Sequence, residues 1–420
     1  MYLAAPPREM ANKKIPLVAL EEYYFSKAVN DYYEAQNAKS PISDYAPSVQ
    51  SSISELGTAR LTAMTKGRIT LQVISHHPNT IAIPADVCRA SNDELHAAIS
   101  SSPDPSRFAA LAVLPTVDPA AAAEELRRCV TELHFVGSMV DNTTNGSYYD
   151  DASFWPIFAA HELLDVPLYL HSPTAPSGPL PASPSAQKYP PVITKMLTRR
   201  SSYSNDSRSI AKSTPTTTQH ILHLFLAGVF DTYPGLKLII GDMATQLAWS
   251  LERNHRLIQA HVPVELRPTR HLLQVWHSNL YITTSHTFNL AAMSSLTELC
   301  CADKVLYSVG WPTSSYSDGL SFMRDLRVSG LINDEDFDNI AYRNAVRLLG
   351  LRLPKTEDGT QIGLDAQGDE VDGARLRPWL SVGSSGTDDL SGSGAILTGA
   401  SFTSAAEFPF PHSPLETVNE

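Results

Sequence analysis

The chain has 420 residues and a formal net charge of −12, and its composition excludes several classes of protein. Residues 355–420 hold three basic and eleven acidic residues, so the rest of the chain is nearly neutral and lacks the basic surface that nucleic-acid binding requires. Four cysteines without metal-type spacing exclude a disulfide scaffold, and no apolar run is long enough to span a membrane. The first 14 residues lack the apolar core of a signal peptide, so we expect a soluble, cytoplasmic protein.

Eight short apolar runs alternate with helical patterns along the chain, and each run ends in polar or aromatic residues. Near-continuous apolar strands that alternate with helices are typical of a parallel sheet buried on both faces. Eight such units predict an α/β fold, a (β/α)8 barrel of the TIM type over residues 15–353, with its active site at the carboxyl ends of the strands. The runs are Val18–Tyr23, Leu71–His77, Leu111–Pro115, Phe135–Asn142, Pro167–His171, Leu238–Asp242, Tyr281–His286 and Val305–Trp311.

Helix signals lie between these runs. Asp118 followed by Pro119 is typical of a helix cap and first turn. The other predicted helices carry apolar residues at helical spacing, and they cover residues 151–164, 221–230, 244–261 and 333–348. These helices support the barrel and say nothing specific about its chemistry.

Several segments interrupt the alternation. Residues 1–14 are predicted to be a flexible N-terminus, and residues 24–60 a polar crossover after the first strand. Residues 172–218 form a long Ser/Pro-rich loop with six basic residues and one acidic residue, which favours either an electropositive lid for an anionic substrate or a solvated linker. Residues 354–420 are rich in Gly and Ser, lack periodicity and are predicted to be a disordered tail.

A series of motifs occurs in a fixed order along residues 15–353. They are Ala19–Glu22, Asp104–Pro115, Phe135–Gly137, Thr144–Tyr148, Asp165–His171, Gly228–Pro234, Tyr281–Ser285 and Asn344–Leu351. In these motifs the chain resembles the decarboxylase branch of the amidohydrolase superfamily, which includes the aminocarboxymuconate-semialdehyde and γ-resorcylate (dihydroxybenzoate) decarboxylases. The resemblance implies a barrel enzyme that removes carbon dioxide from a small anionic aromatic or enoic acid, and it implies a homodimer.

The resemblance also implies a divalent metal, but this chain departs from the family at the metal ligands. Family members bind the ion with a Glu and a His on the first strand, a His on the fifth and an Asp on the eighth. Glu21 and His171 match two of these positions, whereas Tyr23 replaces the first-strand His and Gly310 replaces the eighth-strand Asp. A catalytic zinc or manganese site needs about three protein ligands. We therefore expect no family-type metal between Glu21 and His171, and no other cofactor.

The acid–base residues implied by the family differ as well. In the family, the eighth-strand Asp transfers the proton at the reacting carbon, and the His of a His-Met-Gly-Glu run assists. Residues 242–245 of this chain read Asp-Met-Ala-Thr, and His286 stands where relatives usually have Gly. We predict that Tyr23, His171, Asp242 and His286 serve instead as hydrogen-bond donors and as general acid or base.

Other strand-end residues are candidates for binding the substrate, namely Glu21, His76, His77, Asn142 and Trp311. Trp311 is expected to be a stacking wall for a flat substrate. His76 and His77 have two further interpretations. Together with the other rim histidines and Asp242 they could form a displaced zinc or manganese site, or they are rim histidines bonded to backbone carbonyls.

Three functions stay open. The first is a carbon–carbon lyase, a decarboxylase acting on a small phenolic or polyketide carboxylate with a rebuilt acid–base set. The second is a metal-free cyclase or isomerase, including a pericyclase, which is favoured by the replaced ligands at Tyr23 and Gly310 and by Asp242. The third is a catalytically inactive binding protein, although several histidines at strand ends argue against it. We rank the lyase first, and metal analysis distinguishes these functions best.

Overall fold

Within the described residues of a computed structural model, eight parallel strands overlap the predicted apolar runs, and the third begins at Phe108, three residues before its predicted start. They are Val18–Tyr24 (β1), Leu71–His76 (β2), Phe108–Ala110 with Ala112–Val113 (β3), Ser138–Asp141 (β4), Leu168–His171 (β5), Leu238–Ile240 (β6), Leu280–Thr283 (β7) and Val305–Leu306 (β8). The structure describes residues 14–172, 189–190, 193, 214–299, 302–354 and 363–365. Residues 1–13 of the predicted flexible N-terminus, most of the basic loop and nearly all of the predicted tail lie outside them, whereas Lys14–Ile15 forms a short antiparallel strand pair with Leu364–Asp365.

Each strand pairs in parallel with the next one along the chain, and the ring closes. β1 pairs with β2, β2 with β3, and each strand from β3 to β7 with its successor. β3 bends at Leu111, whose backbone N–H donates to the carbonyl of Ile74 in β2 at 2.8 Å. The last seam is closed by the N–H of Leu20, which donates to the carbonyl of Tyr307 at 3.1 Å. The predicted (β/α)8 barrel is therefore confirmed.

Helices surround the strands, and they include the five that the sequence predicts. The longer ones are Lys27–Ala35, Pro47–Ile53, Thr58–Lys66, Ala85–Ser100, Pro119–Thr131, Trp155–Leu164, Thr214–Ala227, Val229–Thr232, Thr245–His261, Leu272–Asn279, Leu290–Leu299 and Tyr316–Val328. The terminal helix consists of the consecutive segments Asp334–Asp338, Asn339–Arg343 and Asn344–Leu349. Short helical turns lie at Pro105–Arg107, Ala152–Phe154, Asp242–Ala244, Val264–Leu266 and Ala302–Lys304.

Two helical regions differ from the sequence-based expectation. The crossover over residues 24–60 is largely helical, although its first helix buries only Val29 and Tyr33. So short an apolar face leaves little periodic signal in the sequence. The helix predicted from Ile221 begins at Thr214, because a proline at its second position suits the first turn.

The barrel core consists of alternate strand residues. Val18, Leu20, Leu71, Val73 and Tyr169 belong to one buried apolar cluster, which also includes three residues of the terminal helix. Side chains two residues apart on a strand point to the same face. His171 therefore continues the row of Tyr169 and reaches the carboxyl end of the barrel, where the chemistry of this fold is located.

The first strand is irregular at its functional end. The pairing of β1 with β2 shifts register between Ala19 and Glu22. Glu21 has a φ of 60°, which is uncommon for a residue other than glycine. A bulge of this kind redirects a side chain and is frequent next to active sites.

The described part of the chain contains no helix with the length and apolar character needed to cross a membrane. Cys88 and Cys129 are buried free thiols, as expected of core residues. Cys300 and Cys301 lie outside the described residues.

Candidate active site

Glu21 is at the centre of a buried hydrogen-bonded cluster at the carboxyl ends of the strands. Its Oε1 accepts a hydrogen bond from the Tyr23 hydroxyl at 2.8 Å and lies 3.1 Å from Nε2 of His171. The Tyr23 hydroxyl is also 3.0 Å from that His171 nitrogen. Oε2 of Glu21 accepts from the hydroxyls of Tyr169 and Ser285. All five side chains are buried, so the carboxylate is solvated by protein donors in place of water.

The contacts between Glu21 and His171 favour an ion pair. Burial alone would raise the pKa of Glu21, but the hydrogen bond and the positive charge of His171 hold that pKa well below its usual range. Burial alone would lower the pKa of His171, but the bond to Glu21 raises it above the ordinary value. Each of the two groups therefore stabilises the charged form of the other. Nδ1 of His171 has no hydrogen-bond partner among the described residues, so it is available as a donor.

His286 and Gly310 are sterically linked across the site. Nε2 of His286 lies 3.4 Å from the Tyr23 hydroxyl and 4.0 Å from Oε1 of Glu21, while Nδ1 is 2.8 Å from Oγ of Ser314. A Cβ added at Gly310 would lie 2.5 Å from Cε1 of His286. Gly310 also has a φ of 81°, which disfavours any side chain. The His286 ring therefore occupies the space into which a side chain at position 310 would extend.

Asp242 lies at the same site after β6. Burial raises its pKa, and the negative charge of Glu21 raises it further against the opposing effect of His286 and His171. Asp242, Met243 and Ala244 have successive φ values of 56°, 54° and 46°. Three left-handed residues in a row are strained for non-glycine side chains, and such strain is frequent at functional sites. The structure thus groups the four predicted acid–base residues in one site.

His76 and His77 are held by other protein groups. Nδ1 of His76 bonds to the carbonyl of His77 at 2.8 Å, and its Nε2 is 3.1 Å from Oγ of Ser26. Nδ1 of His77 bonds to the carbonyl of Pro78 at 2.9 Å, and its Nε2 is 3.1 Å from the Tyr45 hydroxyl. Burial lowers the pKa of His76 to about 4 and that of His77 to about 3. This geometry favours rim histidines bonded to backbone carbonyls over metal ligands.

The two remaining candidates lie on different sides of this cluster. Trp311 stacks on Tyr316 with ring centroids 5.7 Å apart, and the guanidinium of Arg60 lies 4.5 Å from its ring centroid. Its ring therefore already has planar partners within the protein. Asn142 is buried and lines a cavity next to His77.

Sequence reasoning missed three residues that hold the cluster together. Tyr169 and Ser285 donate to Glu21, and Ser314 contacts His286. Tyr169 precedes His171 by two residues, so strand alternation places both on one face and could have identified it. Ser314 lies in a loop, where no such periodicity exists.

The ligand set of the family's metal is not reproduced at this site. Of the four positions, only Glu21 and His171 carry a usual ligand, and the Tyr23 hydroxyl already lies within hydrogen-bond distance of both. Glycine at 310 offers no donor atom from a side chain. Among the described residues, no group of three or more His, Cys, Asp or Glu side chains is arranged to hold a metal ion. These residues do not fit the metal that the family resemblance implies.

Comparison with known proteins gives consistent relatives. The amidohydrolase family model matches residues 72–351. The chain is 38% identical over 342 residues to "Decarboxylase orsB" of Emericella nidulans, which covers 81% of this chain and 99% of that protein. It is 30% identical over 351 residues to γ-resorcylate decarboxylase of Rhodococcus jostii, which covers 80% of this chain and 98% of that one.

Solved structures agree with these relatives. A 2,6-dihydroxybenzoate decarboxylase in complex with 2,6-dihydroxybenzoate is 29% identical, with a TM-score of 0.62 over 80% of this chain and 98% of that one. A dihydroxybenzoic acid decarboxylase from Polaromonas sp. JS666, with bound manganese and the inhibitor 2-nitroresorcinol, is 28% identical. Its TM-score is 0.63 over 80% of this chain and 97% of that one. By sequence and by fold, the chain belongs to the amidohydrolase family.

Proposed function

We propose that this protein is a carbon–carbon lyase that decarboxylates a small phenolic or polyketide carboxylate with protein acid–base groups. Relatives and similar structures named as decarboxylases support the reaction class. The observation that carries the proposal is the cluster of Tyr23, His171 and His286 around Glu21. It supplies a cation for a carboxylate and a proton donor beside it, which are the two things that the reaction needs.

Decarboxylation of a phenolic acid is a proton-for-carboxylate exchange at a ring carbon. A general acid adds a proton to the carbon that bears the carboxylate, the carbon–carbon bond breaks, carbon dioxide leaves and the ring regains its aromaticity. We assign the acid to His286, because its ring fills the space beside Gly310 where the family resemblance implies the Asp that transfers this proton. Neutral His286 then regains a proton from solvent, to which its side chain is 29% exposed.

The other residues of the cluster orient the substrate. The imidazolium of His171 is paired with Glu21 through Nε2, and its free Nδ1 can donate to the substrate carboxylate. Burial and the charge of Glu21 raise the pKa of Tyr23 well above its ordinary value, so its hydroxyl stays protonated and acts as a donor. Asp242, whose pKa is raised, is assigned to holding a proton near the departing group.

The same geometry supports a reaction without the family's manganese or zinc. A bound ion between Glu21 and His171 would have to displace the Tyr23 hydroxyl from both. We propose that this hydroxyl takes over the linking role that the ion has in relatives.

The experiment is an assay of carbon dioxide release from a panel of hydroxybenzoates that includes 2,6-dihydroxybenzoate, on chelator-treated protein with and without added manganese. We expect release without the metal, and a loss of about 10²–10⁴-fold in turnover in His286→Ala and Tyr23→Phe. Tyr45→Phe is the matched control, since it removes a neighbouring phenol that bonds only His77 in this site. Equal turnover in all three variants would contradict the assigned roles.

A metal-free cyclase or isomerase is the second candidate. The acid–base groups around Gly310 could also act on a substrate that loses no carboxylate. Glycine at position 310 supplies no side chain for the proton transfer that decarboxylation needs. Substrate consumption without carbon dioxide release, with a product of unchanged mass, would favour this function over the lyase.

A further inference from the structure

A cavity lies beside the Glu21 cluster, between the carboxyl ends of β2, β3 and β4. Its volume is about 440 Å³, and it is lined by residues 76–83, residues 139–146 and the end of β3. Pockets for small molecules usually have volumes of roughly 300–1,000 Å³. The cavity is therefore large enough to hold a substituted aromatic ring or part of one.

The wall of this cavity contains a buried amide without a partner. Asn142 is 1% exposed, and neither its Oδ1 nor its Nδ2 has a hydrogen-bond partner among the described residues. Oδ1 of Asn79, which also lines the cavity, is likewise buried and unpaired within the described structure. Buried polar groups are nearly always hydrogen-bonded, and those that are not call for a ligand or a water molecule. The cavity thus offers one donor and two acceptors to an occupant.

The charge around these amides selects the kind of occupant. The carboxyl group of Asp141 lines the same cavity and accepts from the backbone N–H of Asn79 at 3.1 Å, and burial raises its pKa to about 6. A carboxylate ligand placed beside that group would be repelled, whereas a hydroxyl can both donate to and accept from an amide. Ile81, Val113 and Met139 provide apolar surface for the ring that carries the hydroxyl.

The cavity adjoins the acid–base cluster on one side. His77 lines it, and the His77 ring meets the Tyr23 ring edge-on with centroids 5.2 Å apart. Asp141 at the end of β4 is the direct register neighbour of His171 at the end of β5. A molecule whose carboxylate lies at His171 can therefore extend its ring toward Asn142.

From this arrangement we infer that Asn142 is a specificity-determining residue that binds a phenolic hydroxyl of the substrate, with Asn79 as a second acceptor. The inference rests on the proposed function, since it assumes that the acid group binds at His171. A hydroxyl site at Asn142 would favour hydroxylated aromatic acids as substrates over benzoates without hydroxyl groups and over enoic acids.

The test uses equilibrium binding, so that it does not depend on turnover. Isothermal titration of the full chain with 2-nitroresorcinol and with nitrobenzene compares two unreactive probes that differ only in two ring hydroxyls. We expect the wild-type protein to prefer 2-nitroresorcinol, and Asn142→Leu to reduce that preference by about tenfold, the usual effect of one lost hydrogen bond. Affinity for nitrobenzene should stay within about twofold, because no bond to it is lost.

Two further variants complete the design. Asn142→Ser, which keeps a shorter polar group, replaces Asn142→Leu if thermal melting shows that the latter is unfolded, and it should reduce the preference in the same direction. Asn37→Gly is the matched control, since it removes an exposed amide outside the cavity at a φ of 50° that glycine adopts readily, and it should keep the wild-type preference.

The outcomes separate this inference from the proposed function. An unchanged preference in folded Asn142 variants, or an equal loss of affinity for both probes, overturns the inference even if carbon dioxide is released. A reduced preference in protein that releases no carbon dioxide from any hydroxybenzoate supports the hydroxyl site and overturns the proposed reaction alone.

Discussion

We propose that Tyr23 and His286 take the place of the family's metal, and their positions in space matter more for this role than their positions in the sequence. The Tyr23 hydroxyl lies within 3.0 Å of both Glu21 and His171, and the His286 ring fills the volume beside Gly310. Substituting one ligand position at a time therefore cannot restore a family-type site.

This steric link gives a prediction about metal binding. The combined variant Tyr23→His, His286→Gly and Gly310→Asp should bind about one manganese or zinc per chain, because it supplies four ligands and removes the obstructing ring. Elemental analysis after dialysis against each metal measures the gain, and the wild-type protein is the reference.

Gly310→Asp alone is the control for that experiment. It should gain no metal and should melt earlier, because its Cβ would meet His286 and its φ of 81° is unsuited to aspartate. Stoichiometric metal in the single variant, or in untreated wild-type protein, would show that the ring does not block the site.

His171 is the residue whose removal should affect turnover most clearly. His171→Gln and His171→Ala should each lower turnover by about 10²–10⁴-fold, since they remove the imidazole that contacts Glu21 and that we propose binds the substrate carboxylate. Both variants also leave the Glu21 carboxylate buried with fewer donors, so the melting temperature should fall as well. Turnover per folded molecule separates the two effects. Full turnover in protein that merely melts earlier would make His171 a structural residue.

At the scale of elements, the bulge in β1 and the left-handed turn after β6 decide where the site lies. Glu21 has a φ of 60°, and Asp242 to Ala244 have φ values between 46° and 56°. The family has glycine at the position of Ala244, which agrees with a left-handed backbone there. In a regularly alternating strand, Glu21 and Tyr23 would both point to the face opposite that of the core residues Val18 and Leu20. The register shift in β1 turns them toward the site that contains Asp242.

The contact between the helix Trp155–Leu164 and β4 should make stability depend on pH. Nε2 of His161 bonds to the Ser138 hydroxyl at 2.8 Å, its Nδ1 bonds to the carbonyl of Ile157 at 2.7 Å, and burial lowers its pKa to about 4. The unfolded chain binds this proton near pH 6.5 and the folded chain only near pH 4. The stabilisation is therefore complete above about pH 6.5 and is lost as the pH falls toward 4.

Denaturant unfolding at pH 7.5 and pH 5 measures this effect. The loss of unfolding free energy between the two values should be smaller by about 2 kcal/mol in His161→Gln than in the wild-type protein. His277→Gln, at an exposed position of another helix, should show the same loss of unfolding free energy between pH 7.5 and pH 5 as the wild-type protein. An equal loss in His161→Gln would mean that His161 is not the group that titrates.

At the scale of the whole molecule, the barrel accounts for the part of the chain that relatives share. "Decarboxylase orsB" is matched over 99% of its length by 81% of this chain. The remaining residues lie outside that common length, and a cytoplasmic location and a homodimer stay predictions.

Truncation after residue 365 should therefore leave the melting temperature and turnover nearly unchanged. The residues removed have little periodic apolar content and cannot bury enough surface to offset their ordering entropy. Truncation after residue 354 also removes Leu364–Asp365, which pairs with Lys14–Ile15, and should lower the melting temperature slightly more. A loss of several degrees after the first truncation would show that the removed segment contacts the barrel.

The sequence by itself determined the barrel, its strand order and five of its helical segments. Apolar runs that end in Tyr23, His171, Asp242 and His286 are local patterns, and the parallel-sheet rule places their carboxyl ends on one face. The sequence also shows that two metal-ligand positions are replaced, at Tyr23 and Gly310, because this depends only on which residue type stands at each position.

Only the tertiary structure decided how these residues act together. It showed that Tyr23 bonds both Glu21 and His171, that the His286 ring occupies the space beside Gly310, and that both nitrogens of His76 are engaged. Hydrogen bonds and steric exclusion depend on distances of a few ångströms between strands far apart in the chain. Periodicity in one strand carries no information about such distances, so they had to be read from the folded molecule.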